Sequence, residues 1–200
     1  MESLDGYLER LASSDATPGG GSAAALTGAV AAALVAMVGR KLEQTKPTQH
    51  LVARADALRR RLREAQLRDE QAYGAVVAAQ GLSKSTDAQK ALRRRALDTA
   101  LLRAARAPLH AAALCLNVLT LCHRLSQLPM RALASDVGCA AELAHAALAA
   151  CAYNVRINHR YLRESAAVRA QVIRLTRIEG EASRTLAHVR RAIAESGKRK

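Results

Sequence analysis

Thr17-Pro18-Gly19-Gly20-Gly21-Ser22 runs directly into Ala23-Ala24-Ala25-Leu26-Thr27-Gly28-Ala29-Val30, and the reading of this stretch decides the fold. Three successive glycines let the backbone turn tightly and let a neighbour approach very closely. The segment after them has no proline and no charge and is rich in alanine, the best helix former. The stretch therefore predicts a glycine turn feeding a buried helix. The first turn of such a helix has unpaired N–H groups at the positive end of its dipole, a seat for a carboxylate or a phosphate. A flexible turn with Ser22 as an ordinary helix cap is the plainer alternative. Small residues recur at Ala24, Gly28, Ala32 and Ala36 along one face. That spacing predicts tight helix–helix packing, within the chain or across a subunit interface.

Working outward, composition agrees with helices. In 200 residues, 50% are hydrophobic, yet there is no Phe or Trp and there are four Tyr. The β-branched and aromatic residues that strands favour are scarce. One all-α domain spanning residues 1–200 is expected, a bundle of six to eight helices. Residues 16–39 carry no charge, long enough to raise a membrane span. The run is Ala- and Gly-rich and no basic segment precedes it, so neither a signal peptide nor an anchor is expected.

The formal charge of +14 invites a polyanion. Stacking aromatics are almost absent and no helix-turn-helix or zinc-finger pattern occurs, so no specific nucleic-acid partner is expected. Much of the charge is arginine spaced along helices, as in Arg59-Arg60-Arg61 and Arg93-Arg94-Arg95, which fits solvated helix faces. Cys115, Cys122, Cys139 and Cys151 all lie in apolar helical contexts, and none forms a CxxC pair. They read as small hydrophobes in a reducing, cytoplasmic compartment, with no metal site.

In chain order, Leu4, Tyr7, Leu8 and Leu11 give a short amphipathic helix. The helix from Ser22 is expected to end between residues 39 and 46, ahead of Pro47. A second long helix follows over residues 48–80, closed by Gly81 and a polar loop with capping chemistry. Residues 87–105 form the next helix, and Pro108 permits a break or the first turn of a new, buried helix over residues 109–125. Ser135-Asp136 reads as the cap of a helix reaching about residue 164. A basic helix over 166–194 closes the chain, with a frayed end.

Asp69 and Tyr73 are four apart and share a helix face, with Arg63 and Arg68 near enough to make Asp69 a surface ion-pair residue. Asn154 and Asn158 share a face inside an apolar run. Two such amides need partners, either across helices or in a polar ligand wall. His145, between alanines, reads as a hydrogen-bonded core histidine. No Ser-His-Asp set, Walker loop or HExxH occurs.

Several motifs together resemble the cyclodeaminase/cyclohydrolase family of folate enzymes. Ala16-Thr17-Pro18-Gly19-Gly20-Gly21-Ser22-Ala23-Ala24-Ala25 is similar to its opening motif. Asp69-Glu70-Gln71-Ala72-Tyr73 followed by Leu82-Ser83-Lys84 resembles its Asp-x-x-Ala-aromatic and Leu-Pro-Lys segments, and Pro108-Leu109 its Val-Pro-Leu start. Ser135-Asp136-Val137-Gly138 and Asn154-Val155-Arg156-Ile157-Asn158 resemble its later pair. The resemblance implies an all-helical homodimer that binds a tetrahydrofolate derivative in a groove near the interface, without a metal. It implies Asp69 as the catalytic carboxyl. Gly19, Gly20, Gly21, Ser22, Tyr73, Lys84, Asp136, Asn154 and Asn158 are then the substrate-binding positions. The expected reaction is closure of 5-formiminotetrahydrofolate to 5,10-methenyltetrahydrofolate with loss of ammonia, or hydrolysis of the methenyl compound to 10-formyltetrahydrofolate. The chain departs from the pattern at residues 41–47, at Ser83 and at residues 128–133. A catalytically silent relative, a folate-binding or scaffold protein, is therefore the alternative.

Overall fold

The computed structural model describes residues 2–43, 45–129 and 131–196. Among them are six α-helices, α1 (Leu4–Leu11), α2 (Gly20–Lys41), α3 (Lys46–Gln80), α4 (Asp87–Ser126), α5 (Ala134–His159) and α6 (Ala166–Ser196), with one 3₁₀ turn, Arg131–Leu133, and no strand. The expected frayed end lies beyond Ser196, outside the described residues, as do Gln44 and Met130 in two of the departing stretches.

Local chemistry sets most boundaries. Ser3 caps α1 by accepting the Gly6 N–H, and Thr45 caps α3 by accepting that of Thr48. Thr86 and Gln89 form a reciprocal capping box at the start of α4. Three expectations fail. α4 runs unbroken for 40 residues through Pro108. Burial of Ala104, Ala105, Pro108, Leu109, Ala111 and Ala112 supplies packing that outweighs the missing hydrogen bond. Ser135 and Asp136 do not cap α5: the 3₁₀ turn leads straight into it, Leu133 holds the cap position, and Asp136 sits in the first turn. α5 also stops at His159, short of residue 164.

α2 occupies the centre, packed on α3, α4 and α5, while α6 closes the outside against α4 and α5. The small-residue stripe is what allows this. Ala24, Gly28, Ala32 and Ala36 are all buried, and they are consumed within the chain. A Cβ on Gly28 would lie 2.6 Å from Cys115 Sγ and 3.2 Å from Leu62 Cδ2. Gly28→Leu is therefore expected to destabilise the fold by at least about 1–3 kcal/mol. The check is the denaturation midpoint, and an unshifted midpoint would dispose of the close-packing argument. α2 and α4 are each long and apolar enough to cross a membrane, and most of the relevant window in each is buried in the bundle. Cys115, Cys122 and Cys151 are buried in the helical core; Cys139, expected to be apolar-packed, is exposed on α5.

Candidate functional site

The carboxyl of Asp69, projecting from α3, meets the first turn of α2. Gly21 makes that approach possible, because a Cβ there would collide with both carboxyl oxygens and the carboxyl carbon of Asp69. The backbone N–H of Ser22 donates to the carboxyl. The anion seat expected at this helix start is thus filled by the protein's own aspartate. Neither Arg63 nor Arg68 pairs with it. Arg63 donates to Gln66, and Arg68 reaches Glu64 at 3.4 Å.

Three influences set the charge on Asp69. Burial is the largest and pushes its pKa up; the Ser22 amide pulls down; the Glu70 carboxylate next door pushes up again. Burial wins, and the carboxyl titrates at about 6 instead of near 3.8.

A second layer of side chains fixes Ser22. Its side chain is fully buried, and its hydroxyl donates to Glu70 Oε1 at 2.7 Å and lies 3.1 Å from the Tyr7 hydroxyl. Arg10 holds the other Glu70 oxygen at 3.4 Å and also Glu2 at 2.8 Å. Tyr7 and Arg10 both come from α1, so the short amphipathic helix braces the start of α2. Ser22 is therefore a strut under the site, not a cap.

In front of Asp69 lies a cleft of about 250 Å³. Ala16, Thr17, Gly19, Gly20 and Gly21 form one wall, Asp69 and Tyr73 a second, and Ala104, Asn154 and Asn158 a third. Four segments far apart in the chain thus meet at one place. Asn154 donates through Nδ2 to the Ala150 carbonyl at 2.9 Å, and Asn158 to that of Asn154 at 2.8 Å. Each amide so satisfies one donor within α5 and keeps its oxygen for the cleft. Among the described residues neither amide bonds to another helix, and both line the cleft.

Three expected site residues do not line the cleft: Ser22 is buried beneath it, and the other two stand elsewhere. Lys84 is exposed in the turn between α3 and α4 and lines no part of the cleft. Asp136 stands in the first turn of α5, 18 residues before Asn154, which at the helical rise is about 27 Å away. His145 is half-buried and makes no hydrogen bond among the described residues, so it is not a hydrogen-bonded core histidine.

Sequence reading missed Glu70, Tyr7, Arg10 and Ala104. Glu70 adjoins Asp69 in the quoted motif, and its acidity beside a buried position was the available signal. The resulting arrangement is a carboxyl poised near neutrality, backed by a helix start and flanked by neutral amides. Such a group can accept a proton, return one, and stabilise a cation placed beside it.

Residues 3–175 match the formiminotransferase-cyclodeaminase family model. The methenyltetrahydrofolate cyclohydrolase of Methylorubrum extorquens is 37% identical over 172 residues, covering 82% of this chain and 83% of that protein. The crystal structure of a formiminotetrahydrofolate cyclodeaminase from Thermotoga maritima superposes with a TM-score of 0.85 at 24% identity, over 97% of this chain and 96% of that one. At that identity the superposition speaks for the fold.

Proposed function

The chain belongs to the formiminotransferase-cyclodeaminase family, and on that premise we propose that it hydrolyses 5,10-methenyltetrahydrofolate to 10-formyltetrahydrofolate with Asp69 as the proton carrier. The observation that carries this reading is the Asp69 carboxyl, held on the start of α2 with a pKa of about 6. The 37% identical cyclohydrolase supports the choice of reaction.

The methenyl bridge is a cation shared by N5 and N10. An ionised Asp69 beside it stabilises that charge while bound water approaches the bridge carbon. As the new C–O bond forms, Asp69 takes one proton from the water. The bridge carbon is then tetrahedral, and rupture of its bond to N5 moves the hydroxyl proton to N5 and leaves the formyl group on N10. One proton is released overall. A group titrating near the working pH suits both the uptake and the release. No step calls for a metal.

One feature favours a second reading. A carboxyl with a pKa of about 6 is still partly protonated near neutrality, as protonation of a departing ammonia requires. The same site can then close 5-formiminotetrahydrofolate instead. Offering the two substrates separately and following the methenyl chromophore decides the matter. Enzyme-dependent loss from the methenyl compound is the expected result. Growth from the formimino compound gives the cyclodeaminase, and binding of both without turnover gives the silent relative.

The 250 Å³ cleft is smaller than a whole folate, so the cleft takes the reacting end and the rest lies across the neighbouring surface. Tyr153, Ile157 and Tyr161 form an exposed stripe on and just beyond α5, next to the two asparagines. That stripe supports a homodimer as the working unit. Sedimentation of the Tyr153→Ser variant, with the parent as dimer and the variant shifted toward monomer, tests it.

A further inference from the structure

A second region of the molecule has chemistry the Asp69 cleft does not use. Between α3, α4 and α6 runs an open groove made of two adjoining hollows of about 500 and 460 Å³. Its floor is small and apolar, with Ala65, Ala72 and Ala107 beside the buried Leu109. Its walls carry Arg68 from α3, Arg103 and Arg106 from α4, and Arg174 from α6. No aspartate or glutamate lines either hollow. Arg103, Arg106 and Arg174 pair with no carboxylate among the described residues, and Arg68 has only an exposed 3.4 Å contact with Glu64.

Some arginines on this surface are neutralised across helices. Arg156 pairs with Glu179 and Arg190 with Glu142, bridging α5 and α6. Three helices instead turn like charges toward one groove, which costs self-repulsion unless an anion neutralises it. Guanidinium groups suit planar, bidentate contact with carboxylate or phosphate. No Phe, Tyr or Trp lines the groove, so it lacks the broad aromatic platforms on which bases stack.

We propose that this groove binds a small polyanion, a compact molecule bearing several phosphate or carboxylate groups, at a site separate from the Asp69 cleft. The two share no lining residue, so the proposal does not depend on the folate reading.

His110 supplies an internal reporter. It lines the groove, and burial first, then Arg61, Arg68, Arg174 and Arg106, hold its pKa below the ordinary histidine range. A polyanion seated among those arginines offsets their charge and raises the His110 pKa. The experiment titrates inorganic pyrophosphate, and separately citrate, into the full chain at constant ionic strength. The His110 ring proton is followed by NMR, with sodium chloride as the reference.

A saturable shift with an upward move of the His110 pKa is expected with at least one probe. The tighter of the two identifies phosphate or carboxylate as the natural chemistry. Arg106→Ala and Arg174→Ala should each weaken that binding about tenfold, the loss of a charge-assisted hydrogen bond. Arg94→Ala, an exposed α4 position outside both hollows, should leave it unchanged. A non-saturable response matched by chloride overturns the proposal. So does an Arg94→Ala loss equal to that of Arg106→Ala, or a short oligonucleotide binding more tightly than either probe.

Discussion

Asp69→Asn is expected to lower turnover by about 10²–10⁴-fold, the usual contribution of a positioned acid–base group. Asn keeps the shape and still accepts the Ser22 N–H, but it cannot carry a proton. Substrate affinity should change much less, because only the reacting step loses its partner. The parent's rate should rise with pH through an inflection near 6, the pKa of the carboxyl, and the residual rate of the variant should lack it. Stability moves the other way. The folded-state pKa of about 6 lies above the unfolded value of 3.8. The folded protein therefore holds this proton more tightly, and the associated stability is fully present below about pH 4 and lost as pH rises through 6. At pH 8 the ionised carboxylate opposes folding by up to about 3 kcal/mol, and Asn removes that opposition. Thermal unfolding at pH 4 and pH 8 should show parity at the first and a more stable variant at the second. Full turnover by Asp69→Asn would remove Asp69 from the mechanism, and unchanged stability at pH 8 would refute its burial as a charge.

Gly21→Ala is expected to be nearly as damaging to the rate, although it adds one methyl group and touches no titratable atom. The new Cβ falls where the Asp69 carboxyl stands, so the aspartate must rotate away from the Ser22 N–H. A displacement of about 1 Å at a reacting group costs on the order of 10²-fold. Gly74→Ala is the control, on the same helix as Asp69 and with nothing within 4 Å of its added Cβ. It should keep its turnover and gain roughly 0.5–1 kcal/mol of helix stability. Steady-state rates and melting curves of the two variants check the pair. Equal activity in both would mean that the glycine is not needed for close approach.

These residues also show what a sequence can and cannot disclose. The α3–α4 hairpin was legible because its signals are local: Gly81 stops one helix, and Thr86 with Gln89 starts the next. Burial of the Ala24-to-Ala36 face followed from its period. Pro108 misled because a rule about one missing hydrogen bond cannot weigh the packing of a 40-residue helix. The site was harder. Asp69 looked like any acidic residue between arginines, and only its resemblance to a family motif singled it out. Glu70, Tyr7 and Arg10 escaped because their partners lie 15 to 60 residues away in the chain. Lys84 and Asp136 were expected at the site through motif matches alone, and nothing in a motif says which face of the bundle it will occupy.

The brace that α1 applies to Ser22 also has a bearing on the order in which the molecule assembles. The α3–α4 hairpin closes across a short turn, a cheap loop to form early. The bonds that tether Ser22 and Arg10 to Glu70 instead span 48 and 60 residues. A chain with only that hairpin docked has Asp69 in water, titrating as an ordinary side chain. The raised pKa of Asp69 thus depends on long-range contacts and not on its own helix alone. Recovery of activity during refolding should then trail recovery of helix content, and catalysis itself becomes the most demanding reporter of a finished fold.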